Sequence, residues 1–305
     1  MRNSILPLLF VFLLSNNVFG QYDDYVPDYT KTEKTLVKLG QRILNAALFQ
    51  DRDSANSAFK KELNALLKKD DSLKLPFNLV SNLIKVTSAD SSLRIFTWSV
   101  LDANNTYHYH GFVQRLKPDG DYLLYELKDR SDQIIDPEKL VLTSENWWGS
   151  MYYDVALVNN GLKDMYTILG WDGNNNMSHK KVIDIFYFDR DDSLRFGSPI
   201  FREKRDIRYR KIFEFSAEVS MNLKFQRNLN RIVFDFLRPS NPSLTGVYEY
   251  YGPDLSSDAY NWGGQFWDYE ADINVEEGIK KKDKEFEVKD RDTIQSKNLF
   301  QPYGK

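Results

Sequence analysis

The stretch MYYDVALVNNGLKDMYTILGWDGNNNMSHKKVIDIFYFD, residues 151–189, decides the fold. Within it, Asn160-Gly161 separates two runs of strand-forming residues, and this pair favours a type I′ turn because both central residues of that turn need positive φ. A two-residue turn would place Val155 opposite Tyr166. The alternation of side chains predicts three consecutive antiparallel strands, over residues 151–159, 163–171 and 181–189.

The predicted central strands are apolar on both faces, so other elements must cover each face. The exception is Asp184, which shares its face with Val182, Phe186 and Phe188. A buried carboxylate is paired, hydrogen-bonded or protonated. We therefore expect a buried Arg, a buried Lys or a backbone amide beside Asp184. A catalytic acid is the alternative.

The period-two pattern extends on both sides of this stretch, from Leu93 onward. In the run 207–217 we expect Ile207 to point inward and Arg208 and Arg210 to face solvent. Short connections make consecutive strands antiparallel neighbours. The fold is therefore predicted to be α+β, mainly antiparallel β, with one large curved meander sheet; a closed β-barrel or a β-sandwich is the alternative. The additional predicted strands are 93–101, 106–115, 121–128, 207–217, 231–238, 246–251 and 264–272.

Helical periodicity precedes the strands. Two apolar stripes predict an antiparallel helical hairpin, with Asp53 or Ser54 capping its second helix. Residues 76–86 predict a short third helix. So small a helix pair buries too little surface alone, and we expect it to pack on the sheet. The stripes consist of Leu36, Leu39, Ile43, Ala46 and Ala47, and of Phe59, Leu63, Leu66 and Leu67.

Composition and the chain ends bear on location. Residues 1–20 combine a basic start, an apolar run and small residues at the end, which is typical of a secretory signal peptide. The chain contains no Cys, which excludes disulfides and a lipid anchor on an N-terminal Cys. A net charge of −3 argues against a nucleic-acid partner. The predicted segments are the signal peptide 1–20, a leader and helical segment 21–90, an antiparallel β domain 91–274 and a charged, weakly ordered tail 275–305.

Four tryptophans lie next to loop-forming residues. Trp beside Asn, Asp and Gly is the composition of a stacking site for sugars or other flat apolar faces. The alternative is that these rings close the ends of the sheet. The predicted binding residues are Trp147, Trp148, Trp171, Asp172, Asn174 and Trp262.

The three histidines form a second candidate site. His108 and His110 lie two residues apart on one predicted strand, so both imidazoles share a face, and His179 could supply a third metal ligand. The alternative is an exposed strand face with Tyr107 and Tyr109 turned to the core. No phosphate-cradling Gly loop or dinucleotide fingerprint is present, and we expect no cofactor.

Several short segments carry a resemblance to a known group of proteins. They resemble segments of exported Bacteroidota proteins of uncharacterised activity, a group whose signal peptides end similarly. The resemblance implies export and no particular chemistry. The segments are Trp148-Gly149, Tyr152-Tyr153, residues 169–174, residues 180–183 and residues 196–201.

Two functional hypotheses follow. The first is a non-catalytic exported accessory or binding protein of the cell envelope, with a Trp-rich rim that binds a glycan, peptidoglycan, a peptide or another envelope protein. The second is a metal-dependent or carboxylate-based hydrolase with its site near His108 and His110.

Overall fold

The computed structural model of the protein describes residues 30–117 and 119–276. They form four layers, a helical pair followed by three stacked sheets. The helices are α1 (Thr30–Asn45) and α2 (Phe49–Leu67). None of the described helices is long and apolar enough to cross a membrane. The predicted signal peptide 1–20, most of the predicted leader and all but the first two residues of the predicted tail lie outside the described residues.

The helix-side sheet is fully antiparallel and has the order β1-β2-β3-β4. Its strands are β1 (Ile84–Thr87), β2 (Leu93–Leu101), β3 (Tyr107–Leu116) and β4 (Tyr122–Lys128). Short 3₁₀ turns flank it at Asp70–Lys74, Ser131–Gln133 and Pro137–Lys139.

The central sheet has the order β5-β9-β8-β7-β6, and β12 pairs with the other half of β8. Its strands are β5 (Leu142–Thr143), β6 (Met151–Asn159), β7 (Asp164–Asp172), β8 (Ser178–Phe188), β9 (Leu194–Phe196) and β12 (Lys211–Ser216).

The outer sheet has the order β11-β10-β16-β15-β14-β13, with one parallel pair, β10 and β16. Its strands are β10 (Phe201–Glu203), β11 (Asp206–Arg208), β13 (Leu223–Gln226), β14 (Arg231–Pro239), β15 (Tyr251–Trp262) and β16 (Trp267–Glu270). Further 3₁₀ turns lie at Arg227–Leu229, Pro242–Leu244 and Tyr248–Tyr250.

Three apolar cores join the layers. Phe59 of α2 packs with Trp98 of the helix-side sheet. The other face of that sheet meets the central sheet, whose second face packs on the outer sheet through residues such as Ile183 and Tyr260. The predicted α+β class and the covered central strands are confirmed. The strands form three stacked sheets instead of one curved meander, and none of these sheets closes into a barrel within the described residues.

The central hairpin differs from the prediction by two residues in register. Asn159 pairs with Asp164, and Val155 pairs with Ile168 instead of Tyr166. The loop has four residues because the Asn160 side-chain oxygen accepts from the backbone N–H groups of Leu162 and Lys163, both at 3.1 Å. A slip of two preserves the face of each side chain where the strands alternate with period two. The exception is a β-bulge between Tyr152 and Asp154, which turns Tyr152 to the face of Val155 and Tyr153 to the outer sheet.

The predicted start of the second helix is wrong. α2 begins at Phe49, and Leu48 stands at its N-cap without a side-chain hydrogen bond. Arg52 in the first turn donates to the carbonyl of Ala46 at 2.7 Å. It also donates to the carbonyl of Leu101 at 2.8 Å. These contacts tie the first turn of α2, ahead of Asp53, to the end of α1 and to the end of β2.

Two other predicted elements are wrong. Residues 76–86 form turns that lead into β1 instead of a third helix. The run 246–251 contains a 3₁₀ turn, and the strand begins at Tyr251.

The predicted strand 207–217 is divided between two sheets. The chain leaves β11 at Arg208 and starts β12 at Lys211. The Tyr209 N–H donates to the Glu138 carbonyl at 2.7 Å. This break reverses the expected orientations, because Ile207 is 42% exposed and Arg210 is 0% exposed.

Candidate functional site

The four tryptophans of the predicted binding site lie in two different apolar cores. Trp147 is fully buried, and its indole N–H donates to the Tyr152 hydroxyl at 2.8 Å. Trp148 is also buried, and its indole N–H has no acceptor among the described atoms. Trp171 is half-buried. Trp262 packs on Trp267 of the outer sheet, with ring centroids 5.1 Å apart, and is thus separated from the other three.

Three predicted binding residues meet around a lysine. The Lys180 Nζ lies 5.5 Å from the ring centroid of Trp148. It also lies 3.1 Å from Asn174 Oδ1 and 4.0 Å from Asp172 Oδ2. We call Trp148, Asp172, Asn174 and Lys180 the Lys180 cluster. Sequence reasoning missed Lys180, although it lies directly opposite Asp172 in the β7–β8 register.

Asp172 is the electrostatic centre of the Lys180 cluster. Its Oδ1 accepts from the Tyr109 hydroxyl at 2.8 Å and from the Asn174 N–H at 2.6 Å. The Tyr109 hydroxyl in turn accepts from the Gly173 N–H at 2.7 Å. Burial raises the pKa of Asp172, an effect that Lys180 and the Tyr109 hydroxyl oppose. The polar groups around Asp172 thus satisfy one another, which indicates a structural network.

The neighbours of His110 determine which ring nitrogen accepts a hydrogen bond and whether the ring is charged. The Trp98 indole can only donate, and it donates to Asn56 Oδ1 at 2.7 Å. The Asn56 amide nitrogen, 3.0 Å from His110 Nε2, is therefore the donor, and this ring nitrogen is the acceptor. Burial, with help from the charge of Lys60, lowers the pKa of His110 to about 4. His110 is neutral at pH 7, and its Nε2 lone pair is already engaged.

The other two histidines have separate surroundings. His108 is exposed and contacts Asp102 at 3.1 Å. His179 packs edge-on against Trp171, with ring centroids 5.4 Å apart. Among residues 30–117 and 119–276, no group of three or more His, Cys, Asp or Glu side chains could hold a metal ion. The predicted three-histidine site therefore has no geometric support in this part of the chain.

A large open groove lies on the outer sheet, away from the predicted residues. One wall is the loop 216–219, and the other is the arm 238–254, where β14 and β15 project beyond a β-bulge. We call it the arm groove; its volume is about 740 Å³. Its lining includes Ser216, Glu218, Val219, Arg238, Pro239, Pro242, Glu249, Tyr250, Tyr251 and Asp254.

Local hydrogen bonds hold the arm in shape. The Ser240 N–H donates to the Tyr250 carbonyl at 2.9 Å. The Tyr251 hydroxyl accepts from the Gly246 N–H at 3.0 Å, and its ring lies 5.1 Å from that of Tyr248. Pro239 and Pro242 fix φ and donate no hydrogen bond, which restricts the backbone where the arm passes from β14 into its 3₁₀ turns.

The lining of the arm groove is acidic and partly apolar. Glu218, Glu249 and Asp254 face one cation, Arg238, which lies 3.4 Å from Asp254. Hydrogen bonds from the side chain and backbone of Ser256 lower the pKa of Asp254, so this group is ionised at pH 7. The lining therefore has two more carboxylates than cations. Beside these charges, Val219 and Tyr250 of the lining are exposed.

Sequence reasoning missed the arm groove because a strand was expected at 246–251. The available signal was compositional, with Pro239, Pro242 and Pro253 placed among several tyrosines. Prolines and tyrosines in an aperiodic stretch indicate an ordered surface loop, and such loops often bind ligands. Comparisons with models of protein families, with curated proteins and with solved structures find no match for the chain.

Proposed function

We propose that this chain is a non-catalytic exported binding protein of the cell envelope that holds an extended polypeptide segment in the arm groove. The observation that carries the proposal is the groove itself. It is open, about 740 Å³ in volume, and lined by tyrosines, prolines and an excess of carboxylates. Concave surfaces with apolar side chains and a few placed polar groups are the usual form of a binding site.

The surroundings of the groove favour a polypeptide over a glycan. Phe236 and Leu255, on the two strands of the arm, are 39% and 99% exposed. Leu255 is held outward at φ 76°, in a conformation that a leucine rarely adopts. Exposed apolar side chains beside a groove mark contact surfaces for proteins. The acidic lining suits a segment that carries Lys or Arg.

Export is supported by the sequence of residues 1–20 and by the resemblance to exported proteins. The Trp-rich rim is a less suitable place for a ligand, because Trp147 and Trp148 are buried. Trp171 is only half-buried and remains the residue through which a glycan would be tested.

The test is a binding assay on an array of immobilised Lys- and Arg-rich peptides, run in parallel with a peptidoglycan pull-down. Tyr250→Ala and Glu249→Gln should each weaken peptide capture by about tenfold, since contacts of this kind contribute on the order of 1–2 kcal/mol. Leu162→Ala is the matched control, because Leu162 is 91% exposed in a loop outside the groove. Peptide capture unchanged by both groove variants would contradict the proposal. Peptidoglycan capture lost in Trp171→Ala would transfer the function to the Trp-rich rim.

A further inference from the structure

A second cleft lies in the helix-side sheet, two layers from the arm groove. It is formed by the 3₁₀ turn Asp70–Lys74 and the adjoining strands β1 and β2, and its volume is about 330 Å³. Its charged lining consists of Lys74, Lys85 and Arg94. We call it the cationic cleft.

Arg94 is a buried cation with neutral partners. Arg94 is only 5% exposed. The guanidinium donates to the carbonyls of Ser72 at 2.8 Å and Leu75 at 2.9 Å, and lies 3.4 Å from Gln114 Oε1. No carboxylate contacts it among the side chains that the structure describes, which do not include those of Asp70 and Asp71. Buried charges are normally paired, so Arg94 differs from Arg210, which contacts a carboxylate.

Lys85 adds a second charge to the same space. Its Nζ donates to the Pro76 carbonyl at 2.7 Å. Burial and the charge of Arg94 lower the pKa of Lys85, while burial lowers the pKa of Arg94 to about 10. The nearby carboxylate of Asp90 is bound by the hydroxyls of Ser88 and Ser92. Like charges thus share the cleft without a counter-charge from the described side chains.

We propose that the cationic cleft binds a phosphate or sulfate group, either as the free anion or carried by a larger molecule. A guanidinium has five N–H donors, and the three contacts of Arg94 leave donors for an oxyanion. Lys85 supplies a second cation, and the hydroxyls of Thr87 and Ser91 line the same cleft. The cleft is several times larger than the ~30 Å³ of a single water molecule, which leaves room for a carrier.

The test is a titration with inorganic phosphate and with sulfate. Binding is measured by calorimetry and by the change in melting temperature. Sodium chloride at matched ionic strength is the control for screening. We expect saturable binding of one anion per chain, weakened about tenfold or more in Lys85→Met because a nearby charge is lost. Lys74→Met, at the exposed edge of the cleft, should weaken binding less. Lys61→Met removes an exposed lysine of α2 and should leave binding unchanged.

Parallel titrations with phosphoserine and with a sugar phosphate distinguish a free anion from a phosphate carried by a larger molecule. Tighter binding of either one than of inorganic phosphate identifies a carried group, and equal or weaker binding identifies the free anion. The proposal is overturned if the wild-type chain shows no saturable binding beyond the chloride control. It is also overturned if binding persists unchanged in both Lys85→Met and Lys74→Met, provided that the variants melt cooperatively.

Discussion

Asp172 and Asp184 are two carboxylates on neighbouring strands of the central sheet, and the protein accommodates them in different ways. They are 4% and 0% exposed. Burial raises the pKa of both, and in each case a nearby cation opposes the shift. For Asp184 that cation is the fully buried Arg210, whose Nε lies 3.1 Å away. For Asp172 the cation is more distant, and neutral donors make the closest contacts.

The difference lies in what remains when a partner is removed. Without Arg210, Asp184 would be a charge in an apolar core with only backbone donors such as the Ile185 N–H, which contacts it at 2.8 Å. Without the Tyr109 hydroxyl, Asp172 would keep the Asn174 N–H and Lys180. We therefore expect the stability of the protein to depend more strongly on the partner of Asp184.

The largest expected effect is that of Arg210→Met. This change leaves Asp184 without its cation and should lower the free energy of unfolding by about 3–5 kcal/mol, measured by urea denaturation. Arg202→Met is the control, because Arg202 forms an exposed ion pair with Asp268 and its loss should cost no more than about 1 kcal/mol. Equal effects of the two variants would contradict the assigned role of Arg210.

Gly197→Ala tests the same region with a smaller change. Gly197 has φ 85°, and a Cβ there would lie 2.6 Å from the Leu140 carbonyl oxygen and 2.8 Å from Arg210 Nη2. Backbone strain and the collisions with the Leu140 carbonyl oxygen and with Arg210 should together lower the free energy of unfolding by about 2–4 kcal/mol. Gly161→Ala is matched in φ, at 83°, but its Cβ would meet no atom within 4 Å. Gly161→Ala should lower the free energy of unfolding by about 1 kcal/mol, from backbone strain alone. If the two variants melt alike, the close packing of Gly197 against Leu140 and Arg210 contributes nothing to stability.

These two carboxylates also show how far sequence reasoning reaches. The period-two pattern placed Asp184 among large hydrophobic side chains and so predicted a buried partner, which the structure confirms. The same pattern assigned Arg210 to solvent and failed, because the chain leaves its strand at Tyr209 to bond with Glu138. Hydrophobic periodicity predicts side-chain orientations only within a continuous strand. The interruption at Tyr209 depends on a contact with a turn that is distant in sequence, which periodicity does not report.

The candidate site likewise contains features that the sequence predicts and features that it does not. Most faces of the central strands could be predicted because an error of two residues in register preserves them; the β-bulge between Tyr152 and Asp154 is the exception. Lys180 could be assigned to Asp172 only with the correct β7–β8 register. That register goes with the shape of the loop 173–177, where the Asn175 side-chain oxygen accepts from the N–H groups of Met177 and Ser178. The arm groove is built largely from turns, and hydrophobic periodicity does not predict the local hydrogen bonds that hold them. Sequence therefore predicted the individual central strands better than their stacking into three sheets or the surface groove.

Tyr109→Phe tests the neutral donors of Asp172. The change removes the hydroxyl that donates to Asp172 and accepts from Gly173, both inside the core, and should lower the free energy of unfolding by about 1–3 kcal/mol. Tyr166→Phe is the matched control, since among the described residues the Tyr166 hydroxyl shares a hydrogen bond with Ser92 alone, at 2.7 Å, in a partly buried position. Its loss should cost about 1 kcal/mol or less. A larger effect for Tyr166 would show that the Asp172 network contributes little to stability.

The smallest expected effect is a pH dependence in Asp172→Asn. Burial raises the pKa of Asp172 in the folded chain above its value in the unfolded chain. The folded state therefore holds this proton more tightly, and the stability linked to it is present at low pH and is lost as the pH rises through the interval between the two pKa values. Asparagine does not titrate, and its Oδ1 can still accept from Tyr109 and Asn174. The melting temperature of Asp172→Asn, measured relative to wild type, should therefore rise as the pH is increased from about 4 to 7. A constant or falling difference over this range would mean that Lys180 and the neutral donors fully offset the burial of Asp172, contrary to the direction expected here.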